Sequence, residues 1–315
     1  MIEGDDLELF ERSLQHATSA HTGAALDAAL AELGWQDALS VDRHAAVSRL
    51  FGLQGAAGVT SSALDRVLAG ALGRDRGAVV LPPVGRWTAP GAFEGARLDV
   101  HGVGTAGLGA HDTALIVARA GEGHVAVEVE TAALPQRQIE GIDPSLGLVE
   151  VTGQVDGVRE VGSVDWRAAV AHGQLALGHE LVGASRRMLE LAREHALDRV
   201  QFGQPIARFQ AVRHRLAETL VAIEAADAVL QAAWLDQAPE TAAMAKATAG
   251  RAARAAARHC QQVLAGIGFT TEHALHRYVR RVLVLEQLLG ATRSITRELG
   301  EDILEHRRLP ALLPL

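Results

Sequence analysis

Little in this sequence can cross-link, stack or span. Cys260 is its single cysteine, so no intramolecular disulfide forms and a reducing compartment, the cytoplasm, is expected. It stands in an Ala-rich helical pattern and reads as a buried structural thiol rather than a nucleophile. Aromatic residues are 3% of the chain, so Leu, Val and Ala must fill the interior. No uncharged apolar run approaches the ~20 residues that a membrane span requires. The start, Met1-Ile2-Glu3-Gly4-Asp5-Asp6, is acidic and lacks an apolar core, so no signal peptide is expected. Basic charge is also short: 30 Lys and Arg face 38 Asp and Glu, a net charge of -8. No basic face is evident, which argues against a nucleic-acid binder. The one basic stretch, residues 276–281, lies in a helical pattern and reads as a solvated or intersubunit helix face.

What is present is a core-forming composition, 48% hydrophobic over 315 residues, which excludes a disordered chain. Three textures follow one another. Residues 1–82 read as an N-terminal domain of short helices. Leu7, Phe10 and Leu14 keep helical spacing, as do Leu26, Leu30 and Leu33 before Gly34, a natural stop. Further helical segments run through Val47, Leu50 and Leu53 and through Leu64, Val67 and Leu72. Residues 83–161 read as a reduced middle β domain, with strands around residues 115–117, 125–129 and 148–151. Val125, Val127 and Val129 should share one face, because side chains alternate along a strand.

Residues 162–315 read as long helices. Leu177, Leu181, Ala184, Met188 and Leu191 follow steps of three and four. A second helix is expected to open after Pro205 and to carry Ile206, Phe209, Val212, Leu216, Leu220 and Ile223 on one stripe. Others are expected over residues 241–264, 272–289 and 292–306. Long helices joined by short loops pack naturally as a four-helix bundle. The fold class is therefore mainly α, with a small β domain in the middle and a long-helix bundle at the C-terminus.

Two stretches carry a family resemblance. Arg199-Val200-Gln201-Phe202-Gly203-Gln204-Pro205-Ile206-Ala207-Arg208-Phe209-Gln210 resembles the R-x-x-F-G-x-P-I-x-x-F-Q signature of acyl-CoA dehydrogenases. Gln262-Val263-Leu264-Ala265-Gly266-Ile267-Gly268-Phe269-Thr270-Thr271-Glu272 resembles that family's Q-x-x-G-G-x-G-F-x-x-E element. Their order and the helical–β–helical succession match as well. The resemblance implies FAD as cofactor, with its ADP half gripped across a subunit interface. Arg199, Gln201, Phe202, Ile206, Gln210, Gln262 and Gly266 are the contacts it implies. The chemistry suits a dinucleotide: a guanidinium offers a rigid fork to a pyrophosphate, amides reach ribose or adenine, and Gly266 and Gly268 let backbone N–H groups approach phosphate.

The sequence departs from the family in the half that does chemistry. Removal of an α-proton requires a base, which the family supplies as a Glu at one of two positions. One lies twenty-one residues after Gly268 and is Leu289 here, before Gly290. The other, on the long helix before Arg199, falls near Gly173. Neither is acidic, so no catalytic base is expected in this chain. The loop that cradles the flavin ring has no counterpart, residues 82–91 being the nearest stretch, and the family's first Gly of the second element is Ala265. The pattern resembles short subunits of heterotetrameric acyl-CoA dehydrogenases of actinobacteria, several of which act on steroid-derived CoA thioesters. It implies an α2β2 assembly with a full-length catalytic partner. Two alternatives stand beside it: a non-catalytic structural helical protein, and a homomeric dehydrogenase with a relocated base.

Other polar residues read as structural. Glu272 and Glu286 are taken as helix-capping or ion-paired, Glu272 at the opening of a helix. His273 and His276 lack further ligands at metal-site spacing and read as surface or interface residues. Glu180 and Glu190 read as ordinary polar-face residues.

Overall fold

The computed structural model describes residues 4–74, 77–94, 97–156, 158–236 and 238–307. Met1–Glu3 of the acidic start, and the chain beyond residue 307, lie outside them. Five helices open the chain: α1 (Asp5–Ala20), α2 (Ala24–Glu32), α3 (Trp35–Val41), α4 (Arg43–Ala57) and α5 (Ala63–Ala71). Leu14, Leu26, Leu30, Val47, Leu50, Val67 and Leu72 are all buried, as their spacing requires. α3 escapes the periodicity because it is a seven-residue helix, pinned by Trp35, whose Nε1–H donates to the Ala46 carbonyl at 3.0 Å.

Eight strands follow: β1 (Ala78–Val79), β2 (Gly91–Glu94), β3 (Arg97–Gly104), β4 (Thr113–Ala120), β5 (Gly123–Glu130), β6 (Gln136–Gln138), β7 (Val149–Val155) and β8 (Arg159–Ser163). They form one mixed sheet in the order β6-β7-β3-β2-β4-β5-β8, with β1 and β2 both parallel to β4. Its two faces have different partners. Ile116, Val125, Val127, Val129 and Val151 pack together on one, while Leu115 and Val117 turn to the helical core. The uninterrupted apolar run at 115–117 is thus a strand buried on both sides.

The helical second half contains α6 (Trp166–Asp198), the short hairpin strands β9 (Val200–Gln201) and β10 (Gln204–Pro205), then α7 (Gln210–Asp236), α8 (Pro239–Leu264), α9 (Leu275–Leu285) and α10 (Thr292–His306). α6, at 33 residues, is about 50 Å long and runs through the middle, packed by α4, α5, α7, α8 and α9. Its crossing with α4 is backbone on backbone: a Cβ on Gly183 would lie 2.0 Å from the Gly52 oxygen, and one on Gly55 2.1 Å from the Glu180 oxygen.

Two boundaries and one surface differ from expectation. Pro205 does not open a helix. It pairs with Val200 in the hairpin, and α7 begins at Gln210 after one 3-10 turn. Glu272 precedes α9 by three residues, because His273 and Ala274 still turn. The basic stretch is not one solvated face either. Arg277 and Arg280 are exposed, but Arg281 is buried.

Candidate functional site

The first signature is built as a tight hairpin. Gln201 pairs with Gln204, and the two residues between, Phe202 and Gly203, have φ of 53° and 76°. Positive φ at both central positions is the two-residue hairpin turn that matches strand twist. Gly tolerates it freely, whereas Phe202 is held there at some cost. Its ring is 92% exposed and touches only the edge of Phe209, 6.1 Å away between centroids. Arg199 caps α6 through its N–H to the His195 carbonyl at 2.9 Å and leaves its guanidinium exposed. The Ile206 N–H returns to the Arg199 carbonyl at 2.8 Å, and half-buried Ile206 anchors the hairpin on the core. Gln201 and Gln210 are exposed, the latter as the first residue of α7.

The second signature is brought to the same end of the bundle. α8 runs antiparallel to α7, so Gln262 near its end faces Val212 and Arg215 near the start of α7 across a groove of about 390 Å³. His195 of α6 and His273, just past the second signature, meet edge to face at 6.3 Å. Gly266 is exposed with open space where a Cβ would point. Gly268 behaves otherwise. It is buried, and a Cβ there would approach Leu264 at 2.9 Å and the Gln261 oxygen at 3.0 Å, so it permits packing rather than phosphate approach. Ala265 sits at φ 52°, ψ -135°, a conformation glycine adopts without strain, which accounts for the glycine the family keeps there. Phe269 is 70% exposed. Each signature therefore carries one exposed aromatic ring, Phe202 and Phe269, on a chain with six phenylalanines.

The two positions assigned to the missing base also meet. A Cβ on Gly173 would lie 2.4 Å from Leu289 Cδ1 and 2.9 Å from Leu68 Cδ2. Leu289 is fully buried at φ 52°, and its carbonyl accepts from Gln174 Nε2 at 2.9 Å. Fully buried Lys246 donates to the carbonyls on either side, Glu286 at 3.0 Å and Gly290 at 2.9 Å. The α9–α10 turn is thus held firmly, and the side chain at 289 fills the space beside Gly173. Glu286 caps α10: its Oε1 accepts from the Thr292 N–H at 2.8 Å, and Arg254 lies 3.8 Å from Oε2.

A separate cleft of about 610 Å³ opens between the sheet and the bundle, lined by Trp87, Thr88, Arg119, Trp166, Gln174 and Asp302 among others. Its acids are engaged: Glu240 with Arg167 at 2.5 Å, Glu298 with Trp87 Nε1 at 2.5 Å, and Asp302 with His306 at 3.1 Å. Neither Gly173 nor Leu289 lines it.

Glu180 is not a polar-face residue. It is buried beside Arg281, 4.0 Å away, and burial raises its carboxyl from 4.5 to about 7 against the pull of that guanidinium. The fold favours the protonated form, so this contribution to stability is intact below pH 4.5 and lost as pH rises towards and past 7. Glu180→Gln, which cannot ionise, should match wild type near pH 4.5 and exceed it above pH 7 by up to about 3 kcal/mol. Denaturant midpoints at pH 5 and pH 8 test this; a variant weaker at pH 8 than at pH 5, relative to wild type, contradicts it. Glu190 is exposed and paired with Arg187, as expected. His273 Nδ1 accepts from the Leu275 N–H at 3.1 Å, and His276 Nδ1 meets the His273 carbonyl at 2.7 Å, so both close a turn; no metal-ligating cluster occurs among the described residues. Burial pushes the Cys260 thiol up to about 12, consistent with an inert core residue.

Arrangement and ancestry agree. Residues 164–304 match the family model described as acyl-CoA dehydrogenase, C-terminal domain. The acyl-CoA dehydrogenase IpdE2 of Mycobacterium tuberculosis is 40% identical over 131 residues, 42% of this chain and 41% of that protein, so the match spans less than half of that relative. In overall shape the chain is similar to a variant of the Tcur3481–Tcur3483 steroid ACAD (TM-score 0.81, 18% identity, 96% of this chain and 99% of that one). It is also similar to a chain of the ChsE4–ChsE5 complex from M. tuberculosis (TM-score 0.78, 22% identity, 98% and 99%). A glutaryl-CoA dehydrogenase of Mycobacterium smegmatis in complex with FADH2 shares the fold as well (TM-score 0.71, 13% identity, 98% and 97%). The fold is that of the acyl-CoA dehydrogenases. Residues 164–304 are similar to an acyl-CoA dehydrogenase C-terminal domain, and the chain as a whole shares the fold of the solved acyl-CoA dehydrogenases. No helix among the described residues is long and apolar enough to cross a membrane.

Proposed function

We propose that this chain is a cytoplasmic, non-catalytic subunit of an FAD-dependent acyl-CoA dehydrogenase that acts on a CoA thioester, of steroid-derived class. It lends the ADP-binding half of the flavin site to a homologous catalytic partner in an α2β2 assembly. One observation carries the reading. The ADP-side residues Arg199, Gln201, Phe202, Gln210, Gln262 and Gly266 stand exposed at one end, while the base positions Gly173 and Leu289 are packed against each other in the core. The residues fit the group: an exposed guanidinium, amides and an open glycine suit a pyrophosphate and ribose, and Phe202 offers an uncovered ring. Bound FAD would supply the hydride acceptor for the substrate's β-carbon. This chain's part is to hold the dinucleotide's far end and to exclude water through the hairpin, while the partner removes the α-proton. The names of the similar proteins support it, since one is a steroid ACAD and another a two-protein complex.

The test is flavin content. Expressed alone, the chain should purify without stoichiometric FAD; with its partner it should give two flavins per α2β2. Arg199→Ala should leave the assembly folded and weaken FAD retention about ten- to a hundredfold, the worth of a charge-assisted contact. Arg199→Lys should recover only part of this, lacking the fork. Stoichiometric FAD on the lone chain would sink the proposal in favour of a homomeric dehydrogenase, the reading that the 610 Å³ cleft between sheet and bundle favours.

A further inference from the structure

A further cleft, of about 710 Å³, lies among α1, α4, α6 and α7, apart from both signatures and from the two base positions. That volume falls within the range of small-ligand pockets. Its charges satisfy one another. Glu11 meets Arg49 at 3.4 Å, Arg186 pairs with Glu224 and Asp227, and Asp42 caps α4 through the Ala45 N–H at 3.0 Å. A charged ligand would have to displace one of these partners. A neutral one would not.

The floor is bare backbone. Gly52 of α4 and Gly183 of α6 both line the cleft where the two helices cross. The crossing demands glycine at 183, but a Cβ on Gly52 would meet nothing within 4 Å. Glycine weakens a helix interior relative to alanine, so at 52 it keeps the cavity open at some cost to α4. Leu7, Leu53 and Val182 add apolar walls. The His44 ring adds a planar one, stacked on Trp234 with centroids 5.0 Å apart and held by Gln231 at 2.9 Å.

One buried donor faces this space. His179 is 3% exposed and lines the cleft. An indole can only donate, so His179 Nε2 accepts from Trp234 Nε1 at 3.0 Å. Burial, reinforced by His44 and Arg49, pushes the imidazole down to about 3, so the ring is neutral and its proton sits on Nδ1. That N–H has no partner among the described residues, yet Nδ1 is not sealed off from the cleft. A buried donor left unmet is costly, and an acceptor on a ligand would meet it.

We propose that this cleft binds a neutral, largely apolar ring system carrying a ketone. The carbonyl accepts from His179 Nδ1, and the ring lies on the Gly52–Gly183 floor beside His44. The site is independent of the flavin reading, since none of Arg199, Gln201, Phe202, Gln210, Gln262 and Gly266 lines it.

The probe is the naphthyl ketone Prodan, whose emission shifts to the blue in apolar surroundings, titrated into the purified full chain. Dimethylaminonaphthalene, the same ring system without the ketone, is the control. The ketone should bind saturably and about tenfold more tightly than the control, the worth of one hydrogen bond to a buried donor. Gly52→Leu projects into the open space and should abolish binding of both, with circular dichroism unchanged. Gly52→Ala, a smaller intrusion that favours the helix, should weaken both to a lesser degree. His179→Gln keeps an acceptor for Trp234 but withdraws the ring N–H, and should bring the two affinities within about twofold of each other. Prodan affinity in Gly52→Leu within about twofold of wild type would put the dye elsewhere, on Phe202 or in the sheet–bundle cleft, and overturns the site. Equal affinity of ketone and control for wild type overturns recognition by His179. Absence of saturable binding up to the solubility of the dye overturns both, and no one of these results bears on the flavin content of the assembled complex.

Discussion

Arg281→Met is expected to lower unfolding free energy by about 3–5 kcal/mol, the usual penalty when one member of a buried ionic network is removed. The guanidinium serves three segments at once. Its Nε donates to Asp143 Oδ2 at 3.4 Å, Nη1 to the Val59 carbonyl, and Nη2 to Thr60 Oγ1 at 2.8 Å and to Ser145 Oγ at 3.4 Å, with Glu180 at 4.0 Å. Val59 and Thr60 form the α4–α5 turn, Asp143 and Ser145 the β6–β7 loop, and Glu180 the middle of α6. Methionine is unbranched but shorter, and it leaves a carbonyl, two hydroxyls and Asp143 without their donor and Glu180 without its nearby cation. Arg281→Lys keeps the charge yet lacks the fork, so it should recover part of the loss. Denaturant midpoints of the three proteins at pH 7 check this. A methionine variant within about 1 kcal/mol of wild type would show that water replaces the network without cost.

The helices were legible because each local stripe agrees with its packing, and α6 marks where that logic stops. A helix packed on five sides has no solvent face along its middle, so Glu180 and His179 are buried despite their polarity. The bonds that make this tolerable come from far away in sequence: Trp234 Nε1 donates to His179 Nε2 at 3.0 Å, and Arg281 reaches Glu180. Asp65 is a similar case, raised to about 6 by burial while it accepts from the Val79 N–H at 3.1 Å and from Thr105 Oγ1. No period of three, four or two encodes such partners. Strands β2 and β3 were missed for a related reason. Gly91, Gly102 and Gly104 break the β-branched pattern, yet each is needed where a Cβ would strike a neighbouring strand or Leu108.

At the candidate site the motifs were legible as strings and their junction was not. The half-buried state of Phe209, Val212 and Leu216, with Leu220 and Val221 exposed, shows that the expected stripe of α7 is only partly covered by this chain. The two base positions were reached by separate counts along the chain, one from each signature. Their contact at Gly173 and Leu289 ties both counts to one point in space.

That contact sets the outcome of restoring the acid. Leu289→Glu should cost about 3 kcal/mol or more, because it places a carboxyl among Leu68, Gly173 and the surrounding apolar core. Lys246 is already committed to the Glu286 and Gly290 carbonyls, and Gln174 to the Leu289 carbonyl. Leu289→Ala separates the causes, since it loses packing alone and should cost about 2–5 kcal/mol without any polarity. Leu289→Met, close in volume, should stay within about 1.5 kcal/mol. The functional arm uses the assembled complex with the partner's base changed to Gln, and follows flavin reduction by an acyl-CoA. No rescue is expected from Leu289→Glu, because position 289 looks into the Gly173 contact and not into the open cleft. Reduction restored to within tenfold of the intact complex, by a variant as stable as wild type, would show that the acyl pocket of this chain lacks only its base.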